Sequence, residues 1–291
     1  MTTRHTEDSA LHGNGEKSVG DVPADKPAAP GSLDHSSRDE FFAHYEEYSV
    51  SADRVKSFTN LRDSLLTVMS TSVLKSPFDI LDVGCNAGTL SILWSDLGHR
   101  VSGIDVNKPL LDLADSRGKQ AGHDIDFRLG TATDLPWDDG SFDICCVPEL
   151  LEHVKEWEAC LNEAIRVLRP GGLLYISTSS YLCPRQQEFT LPLYSWYPAP
   201  LKRHYERLAV TARPEIANHA VYPAVNWFSF YSLRRELAKR GLQSIDRFDI
   251  AYQTKASTLQ KSILWAIRKM PPLRFLGHVA TEGTRIVGFK L

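Results

Sequence analysis

The 291-residue chain carries 33 Lys and Arg against 36 Asp and Glu, is 42% hydrophobic and has only five cysteines. That length suits one large domain or two modest ones with an ample core, and the formal net charge of −3 gives no general electrostatic argument for nucleic acid or a membrane surface. An odd cysteine count without any C-x-x-C excludes a disulfide scaffold and a zinc ribbon, and thiols used this sparsely read as reduced and cytoplasmic.

Residues 1–36 contain no Phe, Trp or Tyr and include Asp21-Val-Pro-Ala-Asp-Lys-Pro-Ala-Ala-Pro-Gly31. Such a segment cannot bury enough apolar surface to offset its ordering entropy, so it is expected to be a disordered leader. It has no apolar h-region, and nowhere do 18 apolar residues run together, so neither a secretory signal nor a spanning helix is expected. From residue 37 to 77 the aromatic positions Phe41, Phe42, Tyr45 and Tyr48, with a second helical run Arg54–Met69, predict an N-terminal helical cap.

From Phe78 strands and helices alternate. Phe78–Gly84, Arg100–Asp105, Ile125–Leu129, Phe142–Val147 and Gly172–Thr178 read as strands. Thr89–Leu97, Pro109–Ala121 and Val154–Leu168 read as the helices between them. This is the pattern of an α/β protein with βαβ units and a largely parallel sheet, which binds ligands at the carboxyl ends of its strands. Residues 181–231 break the rhythm and hold 11 of the 28 aromatics, an insertion suited to covering an apolar substrate or to packing a satellite core. Residues 232–291 restore it, with a helix Ser232–Gly241, a strand Gln243–Ile250, a helical, amphipathic Ser257–Met270 and a closing strand Thr284–Leu291.

The densest signal is Asp82-Val-Gly84-Cys-Asn86-Ala-Gly88, between the first strand and its helix. Glycine there permits a tight turn and close approach of a ligand to backbone amides. Asp105, 21 residues after Gly84, ends the second strand where a carboxylate can accept ribose hydroxyls. A dinucleotide fingerprint would need glycine at 84, 86 and 89 and meets Asn86 and Thr89 instead. A ligand-free strand-to-helix turn is the plain alternative.

With Gly130-Thr-Ala132-Thr-Asp134-Leu-Pro136-Trp-Asp-Asp139-Gly-Ser141-Phe142-Asp143 and Arg166-Val-Leu-Arg-Pro170-Gly171-Gly172, these segments make four ordered motifs over residues 78–180. Together they resemble the S-adenosylmethionine-dependent methyltransferases of the Rossmann-like type. The resemblance implies a seven-stranded sheet with helices on both faces in one domain over residues 37–291, with residues 78–180 as its cofactor-binding core. It implies S-adenosyl-L-methionine held by Asp82, Gly84, Asn86, Gly88, Asp105, Val106, Ala132, Thr133 and Glu149. Two positions depart from the pattern: Asn86 stands for the middle glycine, and Thr131 for the acid that often meets the adenine amine.

After the fourth strand, Glu149, Glu152 and His153 stand at i, i+3 and i+4, which on a helix would place them on one face. This E-x-x-E-H resembles the ubiquinone-biosynthesis O-methyltransferases and small-RNA 3′-end methyltransferases, which implies a catalytic role for the three and a bound divalent metal such as Mg2+. Alternatively His153 alone serves as base, or all three are structural. The expected acceptor is a hydrophobic or phenolic small molecule. RNA methylation and non-catalytic S-adenosylmethionine binding are the alternatives. Between Lys202 and Arg240 eight Lys and Arg face three Glu, a local excess that could meet an anionic group or be a solvated face. The segment around Lys261–Lys269 could make a peripheral membrane or lipid contact, with core packing as its plain alternative.

Overall fold

Seven of the apolar runs are strands of one sheet in the computed structural model, which describes residues 45–70, 74–217, 224–254 and 257–291. The expected leader at 1–36, together with Phe41 and Phe42, lies outside the described residues. The strands are β1 (Asp79–Val83), β2 (Arg100–Asp105), β3 (Asp126–Leu129), β4 (Phe142–Pro148), β5 (Leu168–Thr178), β6 (Leu242–Asp246) and β7 (Thr284–Lys290). Their order across the sheet is β3-β2-β1-β4-β5-β7-β6, with β7 antiparallel to both neighbours and the other pairings parallel. This is the expected α/β, Rossmann-like seven-stranded sheet.

The alternation of strand side chains builds two cores. On one face Leu81, Val83, Cys145, Val147, Leu174 and Ile176 pack beneath α4 (Trp157–Arg166) and α6 (Phe230–Lys239). On the other, Ile80, Ile144, Cys146, Leu173 and Tyr175 pack against α1 (Ala52–Met69) and α2 (Thr89–Ser95), with Trp94 fully buried. All seven residues of β4 are buried, as expected of a central strand covered twice. Each fully buried Leu or Ile contributes about 1.5–3 kcal/mol. Between β2 and β3 lies α3 (Lys108–Gln120), begun by the Asn107 side chain accepting from the Leu110 amide.

Two elements differ from the sequence reading. The strand expected over 243–250 stops at Asp246, because its carboxylate accepts the amides of Phe248 and Asp249 and starts α7 (Arg247–Gln253). After α8 (Thr258–Lys269), a further helix α9 (Pro271–Ala280) precedes β7, with prolines at its first two positions.

The aromatic insertion builds α5 (Ala199–Thr211) and a satellite core of its own. Phe189 and Tyr194 stack with centroids 3.9 Å apart, and Tyr197, Tyr205 and Trp227 pack around them. Among its described rings, Tyr181 and Trp196 are exposed.

Candidate active site

The carboxyl ends of β1, β2, β4 and β5 meet along one edge, and the motif residues gather there. Gly84, Asn86 and Gly88 all adopt positive φ, at 73°, 51° and 76°. Asn86 tolerates this region because its own Oδ1 accepts the Ala87 amide at 2.7 Å. A side chain at Gly88 would lie 2.8 Å from the Ala114 Cβ, so both packing and φ require glycine there.

Asp105 closes the loop onto β2. Its two oxygens accept the amides of Asn86 (2.9 Å) and Asn107 (2.8 Å), and burial raises its carboxyl above the ordinary range. Asp82 is buried; its Oδ2 accepts the Ser91 hydroxyl at 2.7 Å, while Oδ1 meets no protein donor. Burial pushes its pKa up to about 6. Val106 is exposed beside Asp105, and Ala132 is buried. The Thr133 hydroxyl lies 2.8 Å from that of Thr131, so Thr131 closes the turn in place of an acid.

The loop that follows is fixed by Arg166. Its guanidinium donates to both Glu163 oxygens, to Asp139 and to the carbonyls of Leu135 and Trp137, while Glu163 accepts the Leu135 amide. The arginine of the R-V-L-R-P-G-G motif therefore holds the loop at Leu135, Trp137 and Asp139 in place.

Glu149, Glu152 and His153 do not lie on a helix, contrary to the sequence reading. The Glu149 amide continues the β4–β5 ladder by donating to the Ser177 carbonyl, and Glu149 then turns at φ 53°. Carbonyls that a helix would use are taken from outside. Val225 and Asn226 amides donate to Glu152 O, and the Asn226 side chain donates to Leu151 O and Val154 O. Only at Trp157 does α4 begin.

This turn separates Glu149 from the other two. Glu149, 56% exposed at its side chain, pairs with Arg54 of α1 at 2.9 Å. Glu152 is buried and accepts the Thr178 hydroxyl at 2.8 Å. Burial, with Glu188 nearby, pushes its carboxyl up to about 8. His153 Nε2 stands 4.0 Å from Glu188 Oε2, and its Nδ1 is buried without a protein partner. Glu152, His153 and Glu188 each offer a ligand atom within 4.8 Å of the others. Sequence spacing thus found two of this group and missed the third; Glu188 is the only acid between Tyr181 and Tyr205, a faint signal.

Arg54 and Tyr45 were also unmarked by any motif. Tyr45 packs against Ala87 and Leu110, and burial raises its hydroxyl to about 12 in a field shared by Arg54, Glu188 and Glu149. Thr89 Oγ1 donates to Ser49 O, and Arg117 donates to Ser49 Oγ and Glu46 O. The N-terminal segment is thereby pinned over the glycine loop.

A family described as a methyltransferase domain matches residues 81–176. The protein is 30% identical over 195 residues to a ubiquinone biosynthesis O-methyltransferase of Brucella anthropi, covering 64% of this chain and 69% of that one. The chain belongs to the S-adenosylmethionine-dependent methyltransferases. A second relative of the same name, from Xanthomonas oryzae pv. oryzae, is 32% identical over 151 residues, and the match spans 52% of this chain and 63% of that protein. Among solved structures, a SAM-dependent methyltransferase from Aquifex aeolicus superposes with TM-score 0.51 at 14% identity, covering 86% of this chain and 98% of that one. A protein from Pyrococcus horikoshii OT3 gives 0.52 at 15%, covering 86% and 97%. Both share the fold of this chain.

The basic stretch of the insertion and α6 is partly neutralised within this methyltransferase. Lys239 and Arg240 pair with Glu236, and Arg213 pairs with Glu215. Lys202 lies over the Trp227 ring at 4.3 Å.

Proposed function

We propose that the protein methylates an oxygen of a hydrophobic, phenolic small molecule, with S-adenosylmethionine as donor. The observation that carries this reading is the meeting at one sheet edge of the glycine loop and Asp105 with the Glu152, His153 and Glu188 group. Relatives named as ubiquinone biosynthesis O-methyltransferases support the acceptor class.

The residues present fit the donor. When bound, S-adenosylmethionine supplies an electrophilic methyl group on a sulfonium. Asp105, using lone pairs that its two amide bonds leave free, would accept ribose hydroxyls. The unmet Asp82 Oδ1 suits an ammonium group. Val106, Ala132 and Thr133 would border the adenine.

The acceptor side needs deprotonation. A phenol titrates near 10, so at neutral pH it is almost wholly protonated. In an in-line displacement the acceptor oxygen forms its bond to the methyl carbon as the carbon–sulfur bond breaks, and the phenolic proton must leave. His153 would take that proton or hold the hydroxyl in line. Two carboxylates and an imidazole also fit a divalent cation such as Mg2+, with the unmet His153 Nδ1 and the close Glu152–Glu188 approach as the structural grounds. Such a cation would stabilise the acceptor oxyanion. Glu149, held by Arg54, would border the mouth of the site rather than the cation.

The test is transfer of labelled methyl to a prenylated catechol, with and without chelator, for the wild type and Glu188→Ala. Turnover that chelator abolishes, with a loss of about 10²-fold in Glu188→Ala, supports the reading. Full activity in excess chelator contradicts the cation, and absent turnover on phenols despite donor binding contradicts the acceptor class.

A further inference from the structure

Beyond methyl transfer, we infer that α8 and α9 form a docking face for an anionic lipid surface, beside the mouth of the site. Leu259, Ile263, Trp265, Met270, Leu273, Phe275 and Leu276 are all exposed, and all fall within 18 residues. Leu259 is 72% exposed and Leu276 58%, a degree of exposure that core packing does not explain. Not one residue of α8 is buried. Leu259 and Ile263 stand at i and i+4 of α8, so they share one face, and Met270 follows at the extended junction with α9. Core packing therefore does not account for these positions, whereas Leu264, Ala266 and Ile267 of α8 are half-buried.

Charge selects the occupant. Residues 250–281 contain five Lys and Arg and no Asp or Glu. Arg268 and Arg274 turn inward, Arg268 to Asp249 and Arg274 to Asp246 and Asp249. Lys261 and Lys269 are exposed on α8, one turn either side of the exposed Trp265. Exposed apolar residues that include Trp and Phe, on helices with free lysines and no acids, match an element lying in the headgroup plane of an anionic bilayer. No helix among the described residues is long and apolar enough to cross a membrane, so the contact is peripheral.

Topology places this face usefully. The excursion α7–α9 leaves the sheet at Asp246 and returns at Thr284, which pairs with Thr178. Thr178 is the residue whose hydroxyl bonds Glu152. Gln187, next to Glu188, donates to Glu282 at the end of the excursion. The docking face and the acidic group thus rise from the same sheet edge. Delivery of an apolar acceptor from lipid to that edge rests on the acceptor reading above; the docking itself does not.

The test is co-sedimentation of the full chain with vesicles of phosphatidylglycerol and phosphatidylcholine, against phosphatidylcholine alone. The double variant I263E/L276E changes exposed positions only, and circular dichroism with donor affinity checks its fold. Binding to the anionic vesicles that salt weakens, and that the double variant loses by about tenfold or more, is the expected result. Three outcomes overturn it: no sedimentation of the wild type, equal sedimentation of the double variant, or a vesicle-independent dimer that the double variant dissociates, which would assign the face to a second copy. A double variant that stops binding vesicles yet still methylates a water-soluble phenol separates docking from catalysis.

Discussion

Asp246 anchors the helical excursion, and replacing it with alanine should be among the most destabilising single changes in the protein. The carboxylate is completely buried and takes four donors: the amides of Phe248 and Asp249, Arg274 Nε at 2.7 Å and His278 Nε2 at 3.0 Å. Loss of a helix cap costs about 0.5–2 kcal/mol. Removing one partner of a buried ion pair costs about 3–5 kcal/mol, because the other charge is left uncompensated. The two effects overlap, so D246A should lose about 3–5 kcal/mol, and D246N, which keeps the cap oxygen, roughly half of that. At about 2–4 °C per kcal/mol for a domain of this size, the melting temperature of D246A should fall by about 6–20 °C in a circular dichroism scan. The pH dependence has a definite sign. Burial alone would raise this carboxyl, but bonds from His278 and Arg274 hold it well below its ordinary value. Its contribution is therefore present above the unfolded carboxylate range near pH 4 and is lost as pH falls through the folded value. A melting temperature within about 2 °C of wild type for D246A would refute this reasoning.

Asp82 gives the opposite linkage. Its pKa is raised to about 6, so the donor-free protein gains stability from this group below the unfolded value, and that gain is lost as pH rises from about 4 through 6. Donor affinity, measured by calorimetry, should instead weaken as pH falls through about 6, and D82N should flatten that dependence. R166A should lose the clamp on Leu135, Trp137 and Asp139; an increase of about tenfold in KM for the donor with a smaller effect on kcat is expected from initial rates, since Arg166 holds the loop that follows the proposed adenine contacts and does not act on the reacting atoms.

The parallel strands were legible because apolar runs ending in Val83, Asp105 and Pro148 are short, regularly spaced and separated by helical patterns. The glycine loop and Asp105 were legible for a different reason: positive φ and a carboxylate at a strand end leave residue-type signatures. Glu149 to His153 was misread because its conformation depends on distant atoms. The amides of Val225 and Asn226 occupy carbonyls that local spacing would assign to a helix. Ile245 to Ile250 looked like a continued strand because its apolar run outweighed the Asp246 and Asp249 capping pair, which only the buried carboxylate makes decisive. Glu188 and Arg54 join the site through tertiary packing of the insertion and α1, which no linear spacing encodes.

The central claim, a donor site built on the glycine loop and Asp105, is tested most directly by titration calorimetry with S-adenosylmethionine. Asp105→Asn keeps the shape and one acceptor, and Asp105→Ala removes both oxygens. Charge-assisted bonds to the ribose, at about 1.5–3 kcal/mol each, predict that Asp105→Ala binds the donor at least about a hundredfold more weakly, with Asp105→Asn between it and wild type. Wild-type affinity in Asp105→Ala, in a protein whose circular dichroism is unchanged, would contradict the account.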